Sequence, residues 1–344
     1  MAVRVGRYTI RLEGNAAVKG YASVAGKKEG EGPLADGFDY ISEDNSFGEK
    51  TWEKAESRLQ KDALNRALNK AGVTPDTVDI IFAGDLLNQC IGTSYGIREF
   101  GIPFIGLFGA CSTMAESLVL AALALENGCA NVTAALTSSH FCSAERQFRF
   151  PLEYGGQRTP NSQWTATGSG AVILSRDGAG PFVREVTIGR IMDLGIKDQN
   201  NMGAAMAPAA AATLKAYFDD TGARAEDFDL IVTGDLGQVG HALACELLER
   251  EGLPLPHFTD CGLLLFDREK QDVHAGASGC GCSALVLCAH ILANMRARNF
   301  KEVLFVATGA LMSTTSVQQG ESIPSVAHLV HLSTTPVSAP KGGV

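Results

Sequence analysis

The chain has 344 residues, a formal net charge of −9, and 45% hydrophobic against 19% charged residues. This composition is typical of a packed globular protein and excludes an intrinsically disordered chain. The acidic balance argues against nucleic-acid binding, which needs a basic face to displace counterions. The length suits two domains or one large two-part domain.

No apolar run reaches the roughly 20 residues that a membrane-spanning helix needs, and the first residues lack the apolar core of a signal peptide. The nine cysteines, an odd number scattered in apolar segments, indicate reduced and mostly buried thiols. We therefore expect a protein without a transmembrane segment that folds in a cytosol-like compartment. Cys280, Cys282, Cys288 and His290 lack the spacing of a structural zinc site, so we expect no metal there.

In chain order, the polar and glycine-rich stretch 26–50 first predicts a long loop. A helix then ends at the C-cap glycine Gly72 and leads into a buried strand within 78–89. A further strand in IPFIGLF precedes a helix that begins near Cys111, and another strand follows at 131–139. This alternation predicts a mainly parallel sheet covered by helices.

The same order of elements recurs later in the chain. VDIIFAGDLLNQ at 78–89 matches FDLIVTGDLGQV at 228–239, an offset of 150 residues. GACSTMAESLVLAA at 109–122 lies over GASGCGCSALVLCA at 276–289, an offset of 167 residues. A duplication of this length predicts two similar halves, residues 1–176 and 177–344, packed around a pseudo-twofold axis.

Cys111 is the first candidate for chemistry, because it lies between a glycine-containing turn and an apolar helix. The positive end of a helix dipole lowers the pKa of a thiol, which favours a nucleophilic thiolate. A nucleophilic thiol also needs a base, for which His274 is the first candidate and His140 the second. The structural alternative is a small buried residue at a tight junction.

Arginines among aromatic residues form a second candidate feature in SAERQFRFPLEYGGQR at 143–158. Arg146, Arg149 and Arg158 could hold an anion, since guanidinium groups bind carboxylates through two parallel hydrogen bonds. Salt bridges to Glu145 and Glu153 are the structural alternative.

These segments resemble the thiolase-like superfamily, which includes thiolases and ketoacyl synthases. GACSTM resembles the turn that carries the nucleophile, TGSGAVIL at 167–174 the strand that closes the first half of ketoacyl synthases, and HAGASG at 274–279 the histidine–glycine turn of thiolases. The resemblance implies an α/β fold of two duplicated halves in five layers. It also implies a cysteine at the start of a buried helix.

The chain departs from the enzymes of this superfamily in two places. Thiolases have a second cysteine near the C-terminus, where ATGALMS at 307–313 has none. Ketoacyl synthases have a histidine and an asparagine where this chain has Asp235, Gln238 and the GASG turn. A complete condensing apparatus needs paired donors at an oxyanion hole. The leading hypothesis is therefore a non-catalytic binding protein, and the alternative is an active cysteine-dependent acyltransferase or condensing enzyme.

Within the superfamily, SEDNSFGEKTWEKAE, SSHFCSAERQFRFPLEYG and GDLGQVG resemble a family of sporulation proteins from endospore-forming bacteria. This resemblance implies binding of dipicolinic acid, alone or with calcium as its chelate, and transport of this ligand into the developing spore. It implies a peripheral protein, a homodimer like other superfamily members, at the cytoplasmic face of the forespore or inner spore membrane. Its partners would be the other membrane proteins of the same operon, and a subunit that only docks to them is a third hypothesis.

A flat aromatic dianion requires a pocket with apolar walls and a few cations or N–H donors. We expect six residues at this pocket: Cys111, His140, Arg146, Arg149, Asp235 and His274.

Overall fold

A computed structural model describes residues 2–148 and 158–337 of the chain. The strands are β1 (Val3–Arg4), β2 (Thr9–Ala25), β3 (Tyr40–Ile41), β4 (Ile80–Gly84), β5 (Phe104–Leu107), β6 (Val132–Ser139), β7 (Trp164–Thr165), β8 (Gly168–Ser175), β9 (Phe182–Ile188), β10 (Leu230–Thr233), β11 (Phe258–Asp260), β12 (Ala277–Ser278), β13 (Glu302–Ala310) and β14 (Ser325–Ser333). The helices are α1 (Lys27–Gly30), α2 (Trp52–Ala71), α3 (Ile91–Ile97), α4 (Thr113–Glu126), α5 (Phe141–Phe148), α6 (Met202–Thr221), α7 (Gly237–Arg250), α8 (Cys261–Leu264), α9 (Cys280–Val286), α10 (Leu292–Arg296) and α11 (Thr314–Gln318).

The large sheet has the strand order β11-β10-β13-β14-β9-β2-β8-β6-β4-β5. The order is symmetric about the central β9–β2 pair, with β4 in one half corresponding to β10 in the other. The outer pairs of each half are parallel, whereas the pairs from β13 inward to β6 are antiparallel. The prediction of a mainly parallel sheet is therefore wrong for the centre. Strands β13 and β14 of the centre, for example, follow each other along the chain. Because no crossover connection joins them, they pair antiparallel.

The duplication is visible in the helices that cover the two halves. Helices α2 and α6 each have 20 residues and begin at positions 52 and 202, which keeps the offset seen in the sequence. Each ends at a left-handed glycine, Gly72 with φ 65° and Gly222 with φ 67°, because this backbone conformation closes a helix without strain only for glycine. The predicted loop at 26–50 contains the short elements α1 and β3.

The elements form five layers, as the resemblance implies. Helix α2 packs on β2 and β8 at one outer face, and α6 packs on β13 and β14 at the other. Helix α4 lies between the halves, because it packs on β4 and β6 and also on β13 and β14. Its buried Met114, Leu118 and Leu125 contribute about 1.5–3 kcal/mol each. This central position of α4 places the Cys111 turn between the two halves.

Candidate functional site

Cys111 lies in a single 3₁₀ turn, Ala110–Ser112, that leads directly into α4. The turn is closed by the Ser112 amide and hydroxyl, which donate to the Gly109 carbonyl at 3.2 and 2.7 Å. Ala110 has a φ of 52°, which is strained for a residue with a side chain. The strained turn presents the Cys111 side chain to the space between the halves, where it is 6% exposed.

Strand β13 of the second half packs directly against this turn. A Cβ atom at Gly309 of β13 would lie 2.3 Å from the Gly109 carbonyl oxygen and 3.0 Å from the Ser112 nitrogen. Backbone therefore packs directly on backbone, and only glycine fits at position 309.

Asp235 is the side chain that the structure brings to Cys111. The Gly279 amide donates to Asp235 Oδ2 at 2.8 Å, the Ser278 hydroxyl to the same oxygen at 3.3 Å, and the Thr308 hydroxyl to Oδ1 at 2.9 Å. The Cys111 thiol lies close enough to this carboxyl group for each to shift the pKa of the other. A pair of acidic groups, thiol and carboxyl, thus occupies the interface of the halves.

The electrostatics of this pair keep the thiol protonated. Burial raises the pKa of Asp235 to about 7, although its hydrogen bonds partly oppose the shift. Burial also raises the pKa of the Cys111 thiol well above its usual range, and the negative charge of Asp235 raises it further. The expected lowering of this pKa by the helix dipole is therefore wrong, because desolvation and the adjacent carboxylate outweigh the dipole.

Apolar and weakly polar side chains surround the thiol. Leu86, Ala144 and Cys280 are buried with Cys111 in one cluster, and Phe148 packs against it. The Cys280 thiol donates to the Ser138 carbonyl at 2.9 Å, so it is engaged across the interface of the halves. The Cys111–Asp235 pair thus lies among apolar and weakly polar side chains.

His140 is held as a neutral ring by contacts on both nitrogens. Its Nδ1 accepts from the Cys142 amide at 3.2 Å, so Nε2 carries the proton and donates to the Asn45 carbonyl at 2.8 Å. Burial lowers its pKa, and the Trp52 ring lies 5.4 Å away, centroid to centroid. Both nitrogens are occupied, which leaves no lone pair to take a proton from Cys111.

His274 binds an acidic residue at the surface. Its Nε2 lies 3.0 Å from Asp272 Oδ1, and the Asp272 side chain is 78% exposed. Within residues 2–148 and 158–337, the hydrogen bonds of His140 and His274 do not include Cys111. The structure thus brings together Cys111 and Asp235 but gives the thiol no histidine partner.

The predicted arginines lie in different surroundings. Arg146 is exposed and forms an ion pair with Glu53 on α2. Arg149 lies outside the described residues. Arg158 donates to the Asp272 carbonyl at 2.9 Å, and its guanidinium lies over the Trp164 ring at 4.4 Å from the centroid.

Sequence reasoning missed a second buried acidic pair, Glu56 and Asp85. Glu56 accepts from the hydroxyls of Ser138 at 3.0 Å and Ser143 at 2.7 Å, and Asp85 accepts from the Thr93 amide at 2.7 Å. Burial, followed by the charge of Asp85, raises the pKa of Glu56 to about 8. The alignment of Asp85 with Asp235 in the duplication is the signal that could have revealed it.

Two further features are absent from residues 2–148 and 158–337. No group of three or more histidine, cysteine, aspartate or glutamate side chains there could hold a metal ion. No helix there has the length and apolar character to cross a membrane.

The two halves, the five layers and the cysteine turn before α4 define a protein of the thiolase-like class. The chain is similar to 3-oxoacyl-[acyl-carrier-protein] synthase III from Aquifex aeolicus VF5, at 13% identity and a TM-score of 0.58, over 92% of this chain and 99% of that one. It is also similar to human mitochondrial 3-ketoacyl-CoA thiolase, at 15% identity and a TM-score of 0.54, over 94% and 99% of the two chains. At these identities the likeness shows the fold alone.

Closer similarity identifies the family. The pattern of the family described as stage V sporulation protein AD matches residues 6–333. The chain is 44% identical to stage V sporulation protein AD of Bacillus subtilis (strain 168) over 324 residues, which cover 94% of this chain and 96% of that protein. The chain belongs to the stage V sporulation protein AD family.

Proposed function

We propose that this sporulation protein is a non-catalytic binding protein for dipicolinic acid, free or as its calcium chelate. It supports uptake of this ligand into the developing spore and takes part in spore germination. The proposal combines membership of a family of sporulation proteins with a fold that resembles the thiolases and ketoacyl synthases.

The buried Asp235 carboxyl group beside the Cys111 thiol is the observation that carries the non-catalytic part of this proposal. A condensing nucleophile must ionise, and the enzymes of this fold assist the thiol with a histidine. An acidic partner has the opposite effect, because it raises the thiol pKa. The cysteine position has therefore been retained without the means to activate it.

The proposed place of action is the cytoplasmic face of the forespore or inner spore membrane. The protein acts there as a peripheral component beside the other membrane proteins of its operon. A complex with those proteins would bring the bound ligand to the route through the membrane.

A homodimer is the proposed oligomeric state, and the edge of the sheet supports it. Strand β5 is the last strand in the sheet order, with β4 as its described neighbour. Phe104, Ile105 and Phe108 on this edge are 38%, 47% and 53% exposed. An exposed apolar edge strand favours pairing with another strand, and a second copy of β5 supplies one with matching character.

Titration calorimetry with dipicolinate tests the ligand, in separate series with EDTA and with calcium. The proposal predicts saturable binding near neutral pH in at least one series. Pyridine without carboxylates is the matched control and should not bind, since it lacks the charges. Absence of saturable dipicolinate binding in both series would refute the proposed function.

The second candidate function is cysteine-dependent acyl transfer, and one observation favours it. Asp235, with a pKa of about 7, lies close enough to the thiol to influence its charge and could act as a general base. The thiol pKa lies well above that of Asp235, so proton transfer to the carboxylate is uphill. Incubation with acyl-CoA followed by mass spectrometry decides the question: a covalent adduct that disappears in Cys111→Ala would establish the enzyme.

A further inference from the structure

His331 on β14 lies between two carboxyl groups of the second half. Its Nδ1 lies 3.3 Å from Glu185 Oε2 on β9, its Nε2 lies 2.7 Å from Glu302 Oε2 on β13, and its side chain is 14% exposed. The other Glu302 oxygen accepts from the Ser333 hydroxyl at 2.7 Å. A neutral imidazole has one N–H, so one of the two carboxylates would face a ring lone pair. The imidazolium, with an N–H on each nitrogen, is therefore the form that fits this position.

Glu185 also binds a tyrosine and an arginine from two further elements. The Tyr217 hydroxyl of α6 donates to Glu185 Oε2 at 2.8 Å, and Arg11 Nε of β2 donates to Oε1 at 2.8 Å. The Tyr217 oxygen also lies 3.3 Å from His331 Nδ1. We refer to His331, Glu185, Glu302, Tyr217 and Arg11 as the His331 cluster. It connects four strands of the large sheet to the C-terminal end of α6.

The charges of the His331 cluster balance when His331 is protonated. Two carboxylates, Glu185 and Glu302, then face two cations, His331 and Arg11. The Arg11 side chain is 51% exposed, so solvent screens its charge more than that of the imidazolium. Loss of the His331 proton leaves the two carboxylates with Arg11 as the remaining cation among their described contacts. Because a buried carboxylate without an adequate counter-charge is costly, the neutral ring weakens the cluster.

The other ionisable groups near His331 are engaged elsewhere. On β14 itself, His328 Nδ1 accepts from a backbone amide at 3.3 Å, and burial lowers the pKa of His328 to about 4, so this ring is neutral near pH 7. Before β10, the exposed Asp229 accepts from two backbone amides at the start of β13. On α6, Lys215 and Asp219 form an ion pair with each other. The charge on His331 is therefore set mainly by the members of the cluster.

The pKa values of the cluster agree with this geometry. Burial by itself lowers the pKa of His331, but the hydrogen bonds and charges of Glu185 and Glu302 outweigh burial and raise it above the ordinary 6.5. Burial by itself raises the pKa of Glu185, but hydrogen bonds from His331, Tyr217 and Arg11 hold it at about 2. His331 therefore contributes stability that is complete below about pH 6.5 and is lost as the pH rises through its raised pKa.

We infer that the His331 cluster is a pH-sensitive switch in the second half: protonated His331 holds the C-terminal end of α6 on the sheet, and loss of its proton loosens this end. The contact from Nε2 to Glu302 is the shorter one, so Nε2 keeps its hydrogen and Nδ1 loses the proton. Glu185 then loses one donor. The Tyr217 hydroxyl, which donates to Glu185 at 2.8 Å, gains Nδ1 at 3.3 Å as a competing acceptor.

The switch extends to the N-terminal strand and is distant from the Cys111 turn. Asp220, three residues after Tyr217, accepts from the backbone amides of residues 7–9 at 2.8–2.9 Å, so loosening of this helix end reaches the start of β2. Glu302 begins β13, whereas Gly309, which packs on the Cys111 turn, lies near its other end. At about 3.3 Å per residue these two positions are roughly 23 Å apart. The switch therefore does not depend on the proposed function.

Ring-nitrogen NMR of the full-length chain with 15N-labelled histidine tests the charge on His331. The chain has 7 histidines, and the signal that is missing from His331→Gln identifies His331. Its titration midpoint should lie above pH 6.5 in the unaltered protein and should fall in Glu302→Gln. Glu251→Gln is the matched control, because this exposed acid at the end of α7 is outside the cluster and its loss should leave the midpoint unchanged. A midpoint at or below pH 6.5 in the unaltered protein would overturn the inference.

Hydrogen exchange measured by mass spectrometry tests the coupling of this charge to α6. After correction for the intrinsic effect of pH, the protection of peptides from the end of α6 should fall at least about tenfold between pH 6 and pH 9, because a hydrogen bond to a charged group is lost. His331→Gln should give the low protection at both pH values. Tyr217→Phe keeps the ring but removes the hydroxyl, and it should lower the protection at pH 6. Glu56→Gln removes a different buried titration in the first half and should leave the response of α6 unchanged.

The two measurements on the unaltered chain decide the question even where a variant fails to fold. Equal protection of the end of α6 at pH 6 and pH 9 would overturn the inference, as would a fall of the same size in folded His331→Gln. A raised midpoint for His331 together with a pH-dependent protection that disappears in His331→Gln would establish the switch.

Discussion

Replacing Asp235 with asparagine removes the negative charge beside the Cys111 thiol and nearly preserves the side-chain shape. Two unit charges about 4 Å apart interact by about 4 kcal/mol at an effective dielectric constant of 20, and one pKa unit corresponds to about 1.36 kcal/mol. Asp235 has a pKa of about 7, so it is mostly ionised at pH 8. Loss of a unit charge close to the thiol should therefore lower the Cys111 pKa and give at least about tenfold more thiolate. The contribution of burial to the raised pKa remains.

Alkylation by iodoacetamide at pH 8, followed by peptide mass spectrometry, measures this change. Cys129 is exposed and serves as the internal reference in every sample. The Cys111-to-Cys129 labelling ratio should rise at least about tenfold in Asp235→Asn. Glu185→Gln is the control for general loosening, because it removes a buried carboxyl group that hydrogen-bonds Tyr217 and Arg11 instead of Cys111. An unchanged ratio in a folded Asp235→Asn protein, or an equal rise in Glu185→Gln, would refute the electrostatic account.

Three further predictions concern packing, pH and assembly. Gly309→Ala places a Cβ within 2.3 Å of the Gly109 carbonyl oxygen. The free energy of unfolding in urea should therefore fall by about 1–3 kcal/mol. An unchanged value would show that the turn moves to accommodate the methyl group without cost. The pKa of Glu56 is about 8 in the fold against 4.5 ordinarily, so its stabilising contribution is complete below about pH 4.5 and is lost as the pH rises through 8. Unfolding at pH 6–9 should therefore show decreasing stability with a flatter slope in Glu56→Gln, and equal slopes would contradict this. Ile105→Lys on the β5 edge should convert a dimer to a monomer in light scattering, and a monomeric unaltered protein would contradict the proposed dimer.

The duplicated architecture could be predicted from the sequence because its signals are local. A helix, a glycine cap and a buried strand each leave a pattern within a few residues, and the offset of 150 between the two copies survives in α2 and α6. The five layers followed from the resemblance to a known superfamily. The antiparallel direction of the central strands was not predicted, since it depends on which strands are joined by crossover connections.

The contacts of the candidate site were less predictable because they depend on side-chain direction. His274 was the first candidate for the base of Cys111, yet its Nε2 contacts the exposed Asp272 side chain instead. The contact between Lys28 and Trp164 joins residues far apart in the chain, and no local sequence pattern around either residue predicts it. Asp235 was in the predicted set, but its role as the direct neighbour of the thiol emerged only from the packing of the two halves.

Asp85 and Asp235 correspond to each other in the duplication, but they make different contacts. This difference explains why an acid lies beside the Cys111 thiol. Asp85 of the first half is satisfied within that half, by the Thr93 amide and hydroxyl. Asp235 of the second half instead reaches across the interface to Cys111 of the first half. Because the thiol and its partner belong to different halves, the pair exists only where the halves are packed together. Burial and an acid at this position together disfavour the thiolate, so a carboxyl group supplied by the second half helps to keep the thiol of the first half protonated.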